Sequence, residues 1–368
     1  MRDHVVIAPD KFKGSLTAPE AAACIAAGLG DDVPSVLLPV ADGGDGTVDA
    51  VVAAGFSRVE TEVSGPTGEP VTAAYAVRGS TAVVELAEAS GLRRLPAGFA
   101  PLTAGSRGTG ELISHAVRHG ATRVVLGLGG SACTDGGAGM IQALGARLLD
   151  ADGDELQPGG AALRGLASVD ASGLLGGAIG GVEVIVASDV NNPLLGPSGA
   201  AAVYAPQKGA RPEDVAILEA GLTTFAGFAP DVVACPGAGA AGGVGFAALA
   251  YLHAEIRPGI DYLLDLAGFG AHLEGARMVI TGEGSLDEQS LRGKAPMGVA
   301  AAAAGHGVPV IAVCGRRTVG DAALLAVGIS AAYALTEIEA DATRCMTHAG
   351  PLLERLVAIH VRSHLERG

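Results

Sequence analysis

The sequence predicts an α/β protein in which a doubly wound parallel-sheet domain is split by an inserted second domain of mixed α/β structure. Two observations support this fold class. First, short apolar segments alternate with helical segments towards both ends of the chain, as in a parallel sheet with crossover helices. These predicted strands are residues 4–8, 35–40, 277–281, 308–313 and 331–335. Second, residues 58–87 alternate threonine and valine between turn residues, which is typical of antiparallel strands.

The domain organisation follows from where these two patterns lie. We predict a discontinuous α/β domain from residues 1–60 and 271–368 and an inserted domain from residues 61–270. The active-site cleft is expected between the two domains. A chain of 368 residues is long enough for about two or three domains.

Composition and charge exclude several classes of protein. The 57 glycines follow no fixed period and 49% of the residues are hydrophobic, which excludes collagen-like and disordered chains. The net charge of -15 argues against a nucleic-acid partner, which would need clustered Lys and Arg.

Cysteine usage and hydropathy indicate the compartment. Five scattered cysteines without a CxxC pair indicate a reducing compartment. The long uncharged stretch at 232–254 is broken by glycines, so we expect it to be buried in the protein and not to span a membrane. With no signal-peptide pattern, we expect a cytoplasmic monomer or homodimer that does not bind membranes.

The first predicted strand breaks at Pro9 and leads through a polar loop into a helix. Thr17 is the expected N-cap of this helix, with Glu20 at the third position of a capping box. The loop between strand and helix carries Asp10, Lys11, Lys13 and Ser15.

Two further strands also end in glycine and acid. Residues 35–40 run into ADGGDGT, which carries Asp42 and Asp45 before a helix that begins near Thr47. Residues 123–128 run into GLGGSACTDGGAGM, where consecutive backbone N–H groups precede a helix, an arrangement that attracts anions. The candidate binding residues in this loop are Gly129, Gly130, Ser131 and Asp135.

Two later strands complete the set. Residues 182–187 lead to Asp189 and Asn192, with Lys208 one helix further on. Residues 277–281 open into what reads as a charged loop that carries Glu283, Asp287, Gln289, Ser290 and Lys294. Ligands bind outside the carboxyl ends of strands in open α/β sheets. Because all five loops lie at such ends, we predict that they form one site for a phosphorylated ligand.

The usual nucleotide motifs are absent or lack their context. GEGSLDEQSLRGKA has eight residues rather than four between Gly284 and Gly293, and Ala295 stands where a P-loop has Ser or Thr. PGAGAAGG contains a GxGxxG pattern, but no strand with an acid at its tip follows its helix. An NAD-linked dehydrogenase and a non-catalytic nucleotide-binding protein are therefore the alternatives to a phosphotransferase.

At these residues the sequence resembles the bacterial glycerate kinase family, which is unrelated to P-loop and protein kinases. The resemblance spans nearly the whole chain, in the order APDKFKGSLTA, PVADGGDGT, GLGGSACTDGGAGM, SDVNNPLLGPSGA with APQKGA, PGAGAAGG and TGEGSLDEQSLRGKAP. It implies a flavodoxin-like domain interrupted by an inserted domain. It also implies ATP-dependent phosphorylation of D-glycerate, for which we expect the 2-hydroxyl group as the acceptor, with the 3-hydroxyl group as the alternative.

Within this resemblance each candidate residue has an expected role. Asp189 is the expected base for the glycerate hydroxyl, with Asp287 as the alternative. Lys13, Lys208 and Lys294 would offset phosphate and carboxylate charge, and Asp42, Asp45 and Asp135 would hold Mg²⁺ directly or through water. The remaining candidates for substrate or nucleotide binding are Asp10, Ser15, Gly129, Gly130, Ser131, Asn192, Glu283, Gln289 and Ser290.

The chain departs from the family pattern at a few positions. Lys11 replaces a usual Ser, Cys133-Thr134 replaces Thr-Asn, and Asp45 replaces a Glu. Asp45 is one methylene shorter, which withdraws its carboxylate by about 1.5 Å. If it binds a metal, we expect it to do so through water.

Overall fold

The computed structural model describes residues 3–174 and 181–366 of the chain. These residues form thirteen strands: β1 (His4–Pro9), β2 (Ser35–Leu37), β3 (Ser57–Ser64), β4 (Pro70–Arg78), β5 (Thr81–Glu85), β6 (Arg123–Gly127), β7 (Arg147–Leu149), β8 (Ser168–Asp170), β9 (Glu183–Ala187), β10 (Glu255–Arg257), β11 (Ala276–Leu286), β12 (Val310–Arg317) and β13 (Ile329–Ala334).

The same residues form fifteen α-helices: α1 (Ala18–Leu29), α2 (Thr47–Ala53), α3 (Leu86–Ser90), α4 (Arg107–Arg118), α5 (Ala138–Ala143), α6 (Ala200–Tyr204), α7 (Pro212–Ala226), α8 (Ala240–Leu252), α9 (Gly259–Ala267), α10 (Phe269–Leu273), α11 (Ala295–Ala304), α12 (Asp321–Ala326), α13 (Ala342–Thr347), α14 (Ala349–Leu356) and α15 (Arg362–Glu366).

The chain divides into two compact units. Unit 1 contains Met1–Asp42, Asp49–Phe56 and Ile260–Gly368, and unit 2 contains Gly43–Val48 and Ser57–Gly259. No described helix is both long and apolar enough to cross a bilayer.

Unit 1 is built on a five-stranded sheet in the order β13-β12-β11-β1-β2, and all four strand pairs are parallel. Counted along the chain within the unit, this is the order 2-1-3-4-5 of flavodoxin-like folds. Successive residues of β1 face opposite sides of the sheet. Val5 and Ile7 pack in a core cluster with residues of α1 and α14, whereas Val6 and Ala8 belong to a second cluster with α10 and α11. Helices therefore cover both faces, which confirms the predicted α/β fold class.

The amino-terminal cap of α1 is as the sequence predicts. The Thr17 hydroxyl accepts a hydrogen bond from the Glu20 N–H, and the Glu20 carboxylate accepts one from the Thr17 N–H at 2.8 Å. These two bonds satisfy two of the N–H groups that a helix leaves without partners. They fix the end of the loop that carries Asp10, Lys13 and Ser15.

Unit 2 contains a six-stranded mixed sheet in the order β10-β9-β6-β5-β4-β3. The β3, β4 and β5 strands pair antiparallel, as the alternating Thr and Val pattern predicts. From β5 onward, through β6 and β9 to β10, the pairs are parallel. The β5 strand is thus antiparallel to one neighbour and parallel to the other. Its carboxyl end therefore lies at the same edge as those of β6 and β9.

One predicted boundary is wrong in a way that bears on function. The strand expected at 277–281 continues as β11 to Leu286, because β12 also continues and pairs with it at Glu283 and Ser285. Glu283 therefore lies on a strand rather than in a loop. The charged turn begins only after Leu286.

Candidate active site

The carboxyl edge of the unit 1 sheet brings together two predicted acids. Pro9 on β1 pairs with Gly282 on β11, and the Asp10 N–H donates to the Gly282 carbonyl at 2.8 Å. Asp10 and Glu283 therefore occupy neighbouring positions on adjacent strand ends, and each is only 7% exposed. In the strand order 2-1-3-4-5, the β1/β11 edge is the switch point where ligands bind.

Burial makes both acids reluctant to ionise. It raises the pKa of Asp10 to about 6, which the Lys11 charge opposes and the Asp42 charge assists. Burial likewise raises the pKa of Glu283 to about 7. Hydrogen bonding with Ser290 and the Lys294 charge lower this pKa, whereas the Asp10 charge raises it.

One oxygen of this pair has no partner. Glu283 Oε1 is buried and accepts no hydrogen bond within the described protein. A buried acceptor without a donor destabilises a fold by about 1–3 kcal/mol, so it calls for an explanation. As a carboxylate oxygen it can accept a hydrogen bond from a ligand hydroxyl group, and when the carboxyl is protonated it can donate one.

The loop after β1 is a tight turn closed on itself. The Phe12 carbonyl accepts hydrogen bonds from the N–H groups of Ser15 and Leu16 and, at 3.0 Å, from the Ser15 hydroxyl. Lys11 Nζ lies 3.5 Å from Asp10 Oδ1, and Lys13 is exposed. Ser15 is thus used in shaping the turn, and Lys13 is available to solvent-borne anions.

The turn after β11 organises Asp287 in the same manner. Asp287 Oδ1 accepts the N–H groups of Gln289 and Ser290 at 2.9 and 3.3 Å, and the Ser290 hydroxyl bonds the Asp287 N–H and the Ser285 carbonyl. Burial alone would raise the pKa of Asp287, but these N–H donors and the Lys294 charge outweigh it and lower that pKa. Asp287 is therefore ionised at neutral pH, whereas burial opposes the ionisation of Glu283 four residues earlier. Lys294 stands at the N-cap of α11.

At the corresponding edge of unit 2, one short segment crosses three strand ends. Gly43 lies against the carbonyl of Ala187 on β9, and its own carbonyl accepts the Gly129 N–H at 3.1 Å just beyond β6. Farther on, the Gly46 and Val48 N–H groups each donate at 3.1 Å to the Glu85 carboxylate, at the end of β5. The segment Gly43–Val48, which carries Asp45, is thus held across the edge where ligands bind in α/β sheets.

We predict that the close approach of Gly43 tolerates no side chain. A Cβ at this position would lie 2.2 Å from the Ala187 carbonyl oxygen, in a backbone with φ +89°. Gly68 has a similar φ of +95° but nothing within 4 Å, so it is a matched control for backbone strain alone. Gly68→Ala should lose about 1–2 kcal/mol of unfolding free energy, and Gly43→Ala a further ~2 kcal/mol or more. Urea unfolding measures both, and equal losses would show that Gly43 is not closely packed.

Asp135 holds the loop after β6 in place through hydrogen bonds that both of its carboxylate oxygens accept. Asp135 is 1% exposed, and Oδ2 accepts the Ser106 N–H and hydroxyl at 2.8 Å each and the Gly139 N–H at 3.2 Å. Oδ1 accepts the Gly137 N–H at 3.1 Å. With both oxygens used in this way, Asp135 does not fit a direct magnesium ligand. Its geometry supports a structural role.

Lys208 holds the other end of the same loop. Its Nζ donates to the Ser131 hydroxyl at 2.8 Å and to the Cys133 carbonyl at 2.5 Å, and only 2% of the residue is exposed. Burial lowers the pKa of Lys208, which the nearby Asp135 charge opposes. Burial also raises the pKa of the Cys133 thiol, so this cysteine is not an activated nucleophile. Lys208, expected to meet phosphate, is instead bonded within unit 2.

The loop after β9 presents Asp189 and Asn192 differently. Asp189 is exposed, and its Oδ1 accepts the Gly259 N–H at 2.9 Å. Asn192 uses both ends of its amide within the fold, donating to the Ser198 carbonyl and accepting from the Tyr204 hydroxyl at 2.8 Å each. Asp189 therefore differs from Asn192 in being exposed while one of its oxygens is oriented by the fold.

Among the described residues, no group of three or more His, Cys, Asp or Glu side chains is arranged to hold a metal ion. The predicted magnesium ligands therefore do not form a metal site made of protein side chains alone. Asp45 Oδ1 lies 3.1 Å from Arg93 Nη1, and Asp42 is half-buried in unit 1. Magnesium is commonly held by one or two carboxylates, substrate phosphates and water. Asp42 and Asp45 each fit that mode, whereas the hydrogen bonds of Asp135 argue against direct binding of the metal by Asp135.

Four residues that take part in these contacts were not among those predicted from the sequence: Glu85, Glu88, Arg93 and Ser106. Glu85 is fully buried, and burial raises its pKa to about 7. Arg93 lies within ion-pair distance of Asp45, Glu85 and Glu88. The signal for Glu85 was present, since an acid directly follows the apolar run TAVV just as acids follow the other strands.

Comparison with known proteins gives a consistent result. A model of the glycerate kinase family matches residues 5–364. The chain is 46% identical over 363 residues to glycerate kinase of Bacillus subtilis strain 168, with 95% of each chain covered. It is 45% identical over 327 residues to glycerate 2-kinase of Escherichia coli K12, with 85% of each chain covered. A crystal structure from Salmonella typhimurium LT2, assigned as glycerate kinase 2, is similar with a TM-score of 0.84 and 41% identity, covering 100% of this chain and 99% of that one.

Proposed function

We propose that this chain, which belongs to the glycerate kinase family, transfers the γ-phosphoryl group of ATP to the 2-hydroxyl group of D-glycerate. The observation that carries the proposal is the family match, which runs from residue 5 to residue 364 and so includes both units. The choice of the 2-hydroxyl is supported by the Escherichia coli relative, whose name is glycerate 2-kinase.

Asp189 is the residue we propose as the base that accepts the proton of the glycerate hydroxyl. Its carboxylate is exposed at the end of β9 and is oriented by the Gly259 N–H, as a base near a bound hydroxyl should be. Asp287, held ionised by the N–H groups of its own turn, is the alternative.

The cationic residues divide into two groups. Lys13 and Lys294 flank the unit 1 edge, and we propose that they offset the charge of phosphate and substrate carboxylate. Lys208 is given a different role, because its bonds to Ser131 and the Cys133 carbonyl fix the loop that carries Gly129 and Gly130. Removing Lys208 should therefore disturb that loop rather than a direct phosphate contact.

Magnesium enters the proposal with ATP. When bound, it neutralises the charge on the β- and γ-phosphates. Asp42 and Asp45 are the acids we assign to it, directly or through water.

Three alternatives differ in their products. A glycerate 3-kinase would phosphorylate the primary hydroxyl, and a nucleotide-binding protein without activity would form no product. An NAD-linked dehydrogenase would need a strand before its GxGxxG segment, whereas Gly237 and Gly239 follow a 3₁₀ turn at Pro230–Val232.

Proton-coupled ³¹P NMR of a reaction with D-glycerate, ATP and Mg²⁺ separates these outcomes. Phosphorus on the 2-oxygen couples to the single proton on its carbon and gives a doublet, whereas phosphorus on the 3-oxygen couples to two protons and gives a triplet. We expect the doublet, together with ADP. A triplet would show that the 3-hydroxyl group, and not the 2-hydroxyl group, accepts the phosphoryl group. Absence of a phosphoglycerate resonance would contradict a kinase. In that case, NADH formed from NAD and D-glycerate would indicate a dehydrogenase, and no product of either kind would indicate a binding protein without activity.

A further inference from the structure

A cluster of charged residues lies at the end of β5 in unit 2, beside Asp45 of the predicted site. It contains Glu85 and Glu88, which are 0% and 6% exposed, together with Arg93 and Arg94. Acids buried this deeply usually find hydrogen-bond partners within the protein, and both of these do. Glu85 and Glu88 have different backbone partners.

Glu85 bonds to the Gly43–Val48 segment. Its Oε1 accepts the Gly46 N–H and its Oε2 accepts the Val48 N–H, both at 3.1 Å. Arg93 adds a second connection, because one of its nitrogens lies 3.4 Å from Glu85 and the other 3.1 Å from Asp45 Oδ1. The backbone of the segment is therefore bonded to Glu85 directly, and its acidic side chain is linked to Glu85 through Arg93.

Glu88 bonds elsewhere. Its Oε2 accepts the Ala74 N–H on β4 at 3.2 Å and the Arg94 side chain at 3.1 Å, and its Oε1 accepts Arg93. Among the described residues its hydrogen bonds do not include the N–H groups of the Gly43–Val48 segment. Within the described part of the chain, Glu88 reaches the segment only through Arg93, so this buried acid of the same cluster is a control for the backbone hydrogen bonds of Glu85.

We propose that Glu85 is a positioning residue for the reaction: its carboxylate holds the Gly43–Val48 segment, and with it Asp45, across the carboxyl ends of β9, β6 and β5. Asp45 lies in this segment, so the position of its carboxylate depends on how firmly the backbone of the segment is held. The holding of the segment stands on the hydrogen bonds alone. Its effect on turnover rests on the proposed function.

Glu85→Gln is the sharpest test of this role. Glutamine keeps the size of the side chain but has one acceptor oxygen, so an amide N–H would face the N–H of either Gly46 or Val48. The variant should still fold, because the buried Glu85 carboxyl, with its pKa raised to about 7, already spends part of its time neutral. Glu85→Ala removes both acceptors and is a second variant in case Gln finds another arrangement.

Amide hydrogen exchange measures the holding directly and needs no activity. We expect exchange at Gly46 and Val48 to be about tenfold faster in Glu85→Gln, as for the loss of one hydrogen bond to a charged group, and faster still in Glu85→Ala. In Glu88→Gln it should stay within about twofold of the native rate. Equal exchange in the Glu85 and Glu88 variants would overturn the inference.

The effect on the reaction is tested with a double-mutant cycle. We expect kcat/KM for D-glycerate phosphorylation to fall about tenfold in Glu85→Gln and little in Glu88→Gln. We also expect the Glu85→Gln loss to shrink when Asp45→Asn is already present, because both changes act through one segment. Fast exchange with unchanged kcat/KM would overturn the role in the reaction. If the native protein phosphorylates no glycerate, the proposed function fails, while the exchange rates still decide whether Glu85 holds the segment.

Discussion

Replacing Asp189 by asparagine is expected to lower kcat for D-glycerate phosphorylation by a factor of about 10² to 10⁴, the usual contribution of a general base. Asparagine has the same shape, and its Oδ1 can still accept the Gly259 N–H that Asp189 accepts at 2.9 Å. The fold and the orientation of the side chain should therefore survive. What the variant loses is the ability to take a proton.

Asp170→Asn is a matched control for this change. Asp170 is also an exposed acid of unit 2, and its Oδ1 also accepts one backbone N–H, that of Ser172, at 2.9 Å. It lies on β8, which pairs only with β7 among the described strands, away from the six-stranded sheet. Steady-state kinetics of both variants, with circular dichroism to check folding, should show a loss confined to Asp189→Asn. If Asp189→Asn keeps the native kcat, Asp189 is not the base and Asp287 becomes the candidate. The kcat of Asp287→Asn then provides the same test.

The elements that could be predicted from the sequence are those whose signal is local. The capping box at Thr17 and Glu20 depends on two residues three positions apart, and it forms as expected. The parallel strands of unit 1 are apolar runs that end at glycine or acid, and their positions were found to within a few residues. The antiparallel β3 and β4 strands were evident from alternation alone.

What the sequence could not provide is the identity of each strand's neighbours. Residues 282–286 contain two glycines and a glutamate, which favour a loop, yet they are part of β11 because β12 offers them partners. Glu85 was overlooked because it ends a run of antiparallel strands, and only the parallel pairing of β5 with β6 places it at a ligand-binding edge.

Charge was also an ambiguous guide to the site. Lys208 and Asp135 have the residue types of a phosphate and metal site, but burial and hydrogen bonds give them structural roles. The exposed Asp189 and the partly unsatisfied Glu283 are better candidates for contact with a ligand. A residue's chemistry suggests what it can bind, and its burial and hydrogen bonds indicate whether it can reach a ligand.

Glu283→Gln is expected to make the protein more stable at alkaline pH and less active. Because burial raises the pKa of Glu283 to about 7, the folded state favours the protonated acid. The stability this group contributes is fully present below its unfolded pKa of 4.5 and is lost as the pH rises through about 7. A neutral glutamine avoids that loss. The free energy of unfolding of the variant should match the native value near pH 4.5 and exceed it by on the order of 2–3 kcal/mol at pH 8.

Asp287→Asn should show the opposite dependence. Its pKa is lowered, since the N–H groups of Gln289 and Ser290 outweigh the effect of burial, so its contribution is present above the unfolded pKa and is lost as the pH falls. That variant should be less stable than the native protein at pH 8, with the difference narrowing towards pH 4. Urea unfolding at several pH values measures both. Curves for Glu283→Gln and the native protein that stay parallel between pH 4.5 and 8 would show that Glu283 ionises freely.

The activity of Glu283→Gln decides what the buried acid is for. A protein that keeps a buried carboxyl gives up stability, at pH values where that carboxyl ionises, that a neutral side chain would recover, and such sites are commonly functional. If Oε1 accepts a hydrogen bond from a ligand hydroxyl, the amide variant should lose affinity for the ligand that brings it. Isothermal titration calorimetry with D-glycerate and with ATP, each alone, then identifies the ligand from the one whose affinity falls. If both affinities and kcat stay native while stability rises, Glu283 has no part in the reaction.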